Sequence, residues 1–268
     1  MSRLPSLFIS HGSPMTAVQP GQVGERLAEL GAGLPRPRAI VVASAHWLTA
    51  QPRIGAHPQP PTVHDFGGFP DALYQLRYPA PGAPAVASQV QGLLQDAGLV
   101  AELDPQRGLD HGAWVPLRLL FPAADIPVVP LSLQPRQGPA HQLALGRALA
   151  PLRDEGVLLV GSGSITHNLH DFPTYASGGE APYVRPFIGW VEARLRDDDV
   201  DALLDYRRLA PHAVRAHPTD EHLQPLHFAM GGVGGNVLGA HRIDAGIDAG
   251  MLAMDIYRFD GTDVPATG

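Results

Sequence analysis

Three histidines each stand close behind a short apolar run, and imidazole is the side chain best suited to binding transition metals and moving protons near neutral pH. His11 follows Leu7-Phe8-Ile9-Ser10. His46 follows Ile40-Val41-Val42-Ala43, within Ser44-Ala45-His46-Trp47. His167 follows Val157-Leu158-Leu159-Val160, after Gly161-Ser162-Gly163-Ser164-Ile165-Thr166. In an open α/β sheet, ligands bind beyond the carboxyl ends of the strands. If these runs are parallel neighbours, the three imidazoles meet there. Two more histidines sit in suggestive contexts. His111, in Asp110-His111-Gly112-Ala113-Trp114, reads as a turn residue before a helix-like stretch, with Asp110 beside it to orient the ring. His222 lies near the start of another such stretch.

The chain has no cysteine, so thiolate sites and cysteine nucleophiles are excluded. A metal must be held by imidazole and carboxylate, which points to zinc, iron, copper or nickel rather than magnesium or calcium. Three protein ligands leave positions open for substrate and for water or O2. Most of the 13 histidines have a plainer reading. His57, His141, His170, His212 and His241 are expected on the surface or hydrogen-bonded in the core. His227, five residues after His222, falls on a different helix face and reads as structural. Ser13 and Ser162 do not qualify as nucleophiles: Gly161 and Gly163 flank Ser162 directly, whereas a nucleophile elbow spaces its glycines two residues away. Those glycines are too little for a phosphate loop and read as tight-turn residues.

The elements that must position these groups are legible as apolar runs and periodic stretches. Ser6–Ser10, Ala39–Ala45, Ile126–Leu133 and Val157–Gly161 read as strands buried on both faces. Ala83–Ala97, Pro139–Glu155, Pro186–Arg196 and Glu221–Gly231 read as helices, the last capped by Thr219 or Asp220. The expected fold is α/β: a central, mostly parallel or mixed sheet flanked by helices on both faces, in a single domain spanning 1–268. The composition, 44% hydrophobic and 17% charged, suits a folded globular chain. A net charge of −7 argues against a nucleic-acid partner. No apolar run approaches the roughly 18 residues of a membrane span. Within Met1–Ser10 the apolar stretch Leu7-Phe8-Ile9 is too short for a signal peptide, so a cytoplasmic protein without a membrane partner is expected. A homo-oligomer is left open.

A wider set of segments carries a resemblance. They are His11-Gly12-Ser13-Pro14-Met15, Leu34-Pro35-Arg36-Pro37, Ser44-Ala45-His46-Trp47, His64-Asp65-Phe66-Gly67-Gly68-Phe69-Pro70 and Tyr78-Pro79-Ala80-Pro81-Gly82. Asp110-His111-Gly112-Ala113-Trp114, Gly161-Ser162-Gly163, His167-Asn168-Leu169 and Pro218-Thr219-Asp220-Glu221-His222 complete it. In this order, over nearly the whole chain, they resemble the class III extradiol ring-cleavage dioxygenases, in the LigB-like branch that includes the 4,5-DOPA dioxygenases. The resemblance implies a metal held by His11, His46 and His222. It implies His167 as an acid/base residue or additional ligand, His111 as a second proton-handling group, and His64 and Asp65 at the substrate. The last segment offers both Glu221 and His222 as the third ligand, and the DOPA-type branch uses the histidine. The implied partners are a small aromatic diol and O2, and the implied cofactor is Fe(II). Reaction of O2 with a closed-shell ring is spin-forbidden, so turnover needs a redox-active ion, although an all-histidine site also accepts Zn(II). The alternatives are a zinc-dependent hydrolase and a non-catalytic metal-binding protein on the same fold.

Overall fold

Strands of continuous apolar sequence become the interior of a sheet because both their faces must be covered. The computed structural model describes residues 3–261, so the expected span of 1–268 extends past it at both ends. The strands are β1 (Ser6–Ser10), β2 (Ala39–Leu48), β3 (Arg53–Gly55), β4 (Glu102–Asp104), β5 (Val128–Leu133), β6 (Val157–Gly163), β7 (Ala240–Ile243), β8 (Ile247–Asp248), β9 (Leu252–Ala253) and β10 (Ile256–Phe259). Eight of them form one sheet in the order β4-β3-β5-β2-β6-β1-β10-β7. The four central strands β5-β2-β6-β1 are mutually parallel; β3 and β4 on one side and β10 on the other run antiparallel to them, and β7, antiparallel to β10, returns to the central direction. The expected mixed sheet between helices is therefore what the chain forms.

Helices of eight or more residues cover both faces: α1 (Gly21–Gly33), α2 (Pro84–Asp96), α3 (His111–Leu120), α4 (Gly138–Leu149), α5 (Val184–Arg196) and α6 (Gln224–Gly231). Strand alternation assigns side chains to faces. Ala39, Val41, Ala43, Val157 and Leu159 join a core with Val86, Val90 and Leu94 of α2 and Leu145 and Leu149 of α4. Ile40, Val42, Leu158 and Val160 join the opposite core with Val23, Leu27 and Leu30 of α1 and Trp114 and Leu117 of α3.

Most boundaries shift by one or two residues from expectation, and four differences have a physical reason in the structure. β2 runs on to Leu48, so His46 lies within it. Its register against β5 is irregular between Ala43 and Leu48, a bulge of the kind that re-aims a side chain. The stretch expected as one helix over Pro139–Glu155 ends as α-helix at Leu149 and continues as a 3-10 turn, Ala150–Arg153, because Pro151 has no N–H to donate. The last helix starts at Gln224, with Pro225 in its first turn, rather than at Glu221. Thr219 and Asp220 do not cap it: the Thr219 hydroxyl donates to Glu221 Oε1 (2.9 Å), and the Asp220 carboxylate accepts from Tyr206 and Arg207. His111 is the first residue of α3, not a turn residue before it.

Gly161 and Gly163 close the sheet against the first turn of α6 and the segment leading into it. A Cβ on Gly161 would lie 2.0 Å from the Pro225 carbonyl oxygen, and one on Gly163 would lie 2.1 Å from that of His222. Gly161→Ala should therefore destabilise the protein by about 1–3 kcal/mol, as overpacking does. Gly92→Ala, in α2 with open space around it, should gain up to roughly 1 kcal/mol from helix propensity. Urea unfolding of the two variants beside the parent measures both. Equal stability of all three would contradict the close packing of Pro225 on β6.

Candidate metal centre

β1, β6 and β2 are adjacent parallel strands, and the histidines that follow or end them gather at their carboxyl edge. His11 leaves β1 with its N–H still on the ladder, donating to the Gly163 carbonyl (3.0 Å), and Gly12 turns the chain away at φ +66°. His46 is aimed by the β2 bulge. Ser44 Oγ accepts the His46 backbone N–H (3.2 Å) and donates to Asp110 Oδ1 (2.6 Å). His222 arrives from the far end of the chain, in the turn before α6. That turn is laced to β6's extension by Ser164 N–H to the His222 carbonyl (2.8 Å) and by buried His217, whose Nε2 donates to the Ile165 carbonyl (2.8 Å).

The outcome is a convergence of ring nitrogens. His46 Nε2 lies 3.0 Å from His11 Nε2 and 3.4 Å from His222 Nε2. Tetrahedral ligands at about 2.0–2.1 Å from a metal sit roughly 3.3 Å apart. His11, His46 and His222 form one group able to hold a metal, all within 4.8 Å. The second nitrogens face acceptors, as those of metal-bound imidazoles do. His222 Nδ1 is 3.0 Å from Glu221 Oε1, His46 Nδ1 is 3.7 Å from Asp65 Oδ2, and His11 Nδ1 is 3.0 Å from Ser162 Oγ. The donor set, three imidazoles turned inward and backed by acceptors, fits a divalent transition metal.

His111 and His167 flank the group. The His111 ring centroid is 3.9 Å from that of His46, and Gly112 permits the approach, since a Cβ there would lie 2.9 Å from His46 Cδ2. Asp65, rather than Asp110, orients His111: its carboxylate accepts the backbone N–H (2.8 Å) and faces ring Nδ1 (3.0 Å). Asp110 instead caps α3 at Ala113 N–H and holds Ser44 and Arg107, whose guanidinium lies 4.7 Å over the Trp47 ring. His167 stacks on His222 at 3.5 Å and 5° and groups with Glu221 and His222. His64 is turned away, with Nε2 on the Leu76 carbonyl (3.1 Å). It packs on Phe66, which packs on His111 at 5.7 Å. His227 is buried with Nε2 on the Leu203 carbonyl (3.0 Å), and His141 bonds Gln134 (2.9 Å). Sequence reasoning missed the pairing of Asp65 with His111, 46 residues apart, which no local pattern signals. It also missed Ser162 as a partner of His11, although a polar residue between two glycines at the end of an apolar strand was a usable sign.

Burial dominates the electrostatics. It holds the His11 and His222 imidazoles well below their usual value, and the neighbouring histidines push the same way. It also drives His46 and His167 down to about 4. Burial alone would raise the Asp65 carboxyl, but hydrogen bonds from His111 outweigh it and hold the group down to about 2. The cluster is thus neutral imidazole backed by ionised carboxylate, the state in which nitrogens coordinate.

Known proteins are similar to this chain over nearly its whole length. The family described as the catalytic LigB subunit of aromatic ring-opening dioxygenase matches residues 5–249. A 4,5-DOPA dioxygenase extradiol of Beta vulgaris is 43% identical over 261 residues, covering 96% of this chain and 97% of that protein. Its namesake from Escherichia coli K12 is 40% identical over 257 residues, covering 94% and 93%. The crystal structure of an uncharacterized Escherichia coli K12 protein superposes with a TM-score of 0.78 at 34% identity, covering 96% of this chain and all of that one.

A pH dependence follows from the buried imidazoles. His46, His167 and His227 have folded-state values near 4, below the roughly 6.5 of an unfolded chain. Between those values the unfolded state binds more protons, so acid favours unfolding. Stability of the metal-free protein should be full above about pH 6.5 and fall as the pH drops towards 4. Denaturant midpoints measured across that window test it, and a flat profile would show that these rings are not neutral in the fold.

Proposed function

Because the chain belongs to the LigB family of aromatic ring-opening dioxygenases, we propose that His11, His46 and His222 hold one Fe(II) and that the enzyme opens a catechol-type, DOPA-like ring beside its hydroxyls. The observation that carries this reading is the convergence of three Nε2 atoms at 3.0 and 3.4 Å beyond the parallel strands, with two further imidazoles against them. Bound there, a redox-active divalent ion supplies the electron transfer between diol and O2 that spin pairing otherwise forbids, which zinc cannot supply.

The remaining steps belong to the chain's own residues. Asp65, ionised, takes the Nδ1–H of His111 and leaves Nε2 bare to accept a hydroxyl proton from the substrate. His167, neutral at working pH because burial holds it near 4, accepts a second proton and returns it to oxygen as the ring opens. Phe66, in ring contact with His111, His64 and Tyr74 (5.7, 5.6 and 5.3 Å), offers an aromatic wall beside the site. That wall suits the flat face of an aromatic substrate.

Two outcomes test the reading. His11→Ala, His46→Ala and His222→Ala should lose metal. His111→Ala and His167→Ala should keep it and lose turnover by roughly 10²–10⁴-fold, the usual worth of a proton-transfer residue. Full metal content in His222→Ala with loss in Glu221→Ala would move the third ligand to the carboxylate. Metal loss from His167→Ala would make that ring a ligand. Apo-enzyme loaded with Fe(II) should consume O2 with a catechol, and zinc-loaded enzyme should not. Equal activity with zinc would overturn the oxidative assignment.

A further inference from the structure

Alternation along β6 sends Gly161 and Gly163 to the face packed by the segment before α6. Ser162 points the other way, towards α3 and His11, and is fully buried. Its Oγ has two partners: the carbonyl oxygen of Gly112 and, at 3.0 Å, Nδ1 of His11. A hydroxyl carries one proton and two acceptor lone pairs. The carbonyl has no proton to give, so Ser162 donates to Gly112. Towards His11 it can only accept, and Nδ1 must therefore be the protonated nitrogen. A neutral imidazole has a single N–H, which leaves His11 Nε2 bare, facing His46 Nε2.

We propose that Ser162 is a positioning residue that fixes the ring tautomer of His11, so that its Nε2 lone pair faces the centre formed with His46 and His222. The consequence for the metal rests on the reading that these three residues hold it. The other two rings have carboxylates behind them, Asp65 at 3.7 Å from His46 and Glu221 at 3.0 Å from His222, and an ionised carboxylate can only accept. Ser162 is different, because a hydroxyl free to rotate could equally donate to Nδ1 and select the opposite tautomer. Its rotation is settled by Gly112, the residue after His111. The first metal ligand and the helix that presents His111 are thereby tied through one hydroxyl proton.

The test reads tautomer and metal affinity, not turnover. In metal-free, ¹⁵N-histidine-labelled protein at neutral pH, long-range proton–nitrogen spectra should show His11 protonated at Nδ1 and bare at Nε2, with the resonances assigned by their loss in His11→Ala. The reverse pattern, or averaging between tautomers, overturns the proposal without any change to Ser162. In a chelator competition, Ser162→Ala should bind Zn(II) roughly 10- to 100-fold more weakly than the parent, the usual effect of losing such a partner. Ser162→Cys, which keeps a weak acceptor, should fall between them. Unchanged zinc affinity in a folded Ser162→Ala overturns the role even if the enzyme opens catechols. A parent that binds no zinc or iron defeats the metal-centre reading, and the spectra still decide the tautomer.

Discussion

Backbone laid against backbone at the end of β6 is the contact on which the site depends. The imidazoles at positions 11 and 46 come from β1 and β2, the parallel strands on either side of β6, and meet at their carboxyl edge. The third, at position 222, must be brought in from another element. It reaches them because Gly161 and Gly163 have no side chains and the carbonyls of Pro225 and His222 occupy the space a Cβ would take. The hydrogen bonds from Ser164 N–H to His222 and from His167 N–H to Ala216, both 2.8 Å, then fix the register of that segment. The strand does two jobs within three residues. Its glycines admit the segment carrying His222 on one face, and the serine between them meets His11 on the other.

Crowding five imidazoles together has an electrostatic cost that shapes their surroundings. The desolvated rings of His11, His46, His167 and His222 resist protonation, and neighbouring histidines push the same way. What stabilises the arrangement is a shell of acceptors and dipoles: Asp65 behind His111 and His46, Glu221 behind His222, and Asp110 capping the helix that starts with His111. Such a shell is rewarded only when it is fully connected, because an orphaned buried polar group costs more than a made hydrogen bond returns. Burial keeps the buried rings neutral, and the negative potential of the carboxylates behind them favours a divalent cation among them.

The sheet was legible because its strands are continuous apolar runs, and His11, His46 and His167 were legible because they repeat one context at strand ends. What could not be read locally was set by packing. The β2 bulge depends on Ser44 reaching Asp110, 66 residues away. The delayed start of α6 depends on Asp220 being drawn off to Tyr206 and Arg207. Glu221 and Asp65 were visible as carboxylates near histidines, but only the fold sets Glu221 against His222 Nδ1 and Asp65 against His111. Asp110 was expected to orient His111 by adjacency. A residue that caps a helix has its carboxylate turned onto the first-turn N–H groups, so the ring beside it must find another partner.

The position of β1 has a cost during synthesis. The first strand of the chain lies in the interior of the sheet, between β6 and β10. Its Leu7, Phe8 and Ile9 are completely buried. As the chain leaves the ribosome, one edge of β1 has no mate until residues 157–163 emerge, and the other waits for 256–259. Until those segments are made, an apolar strand with both edges open is exposed, a template for pairing with other chains. Pairings this distant in sequence also close slowly. His11 cannot complete its cluster before the segment carrying His222 has been made, 211 residues later in the chain.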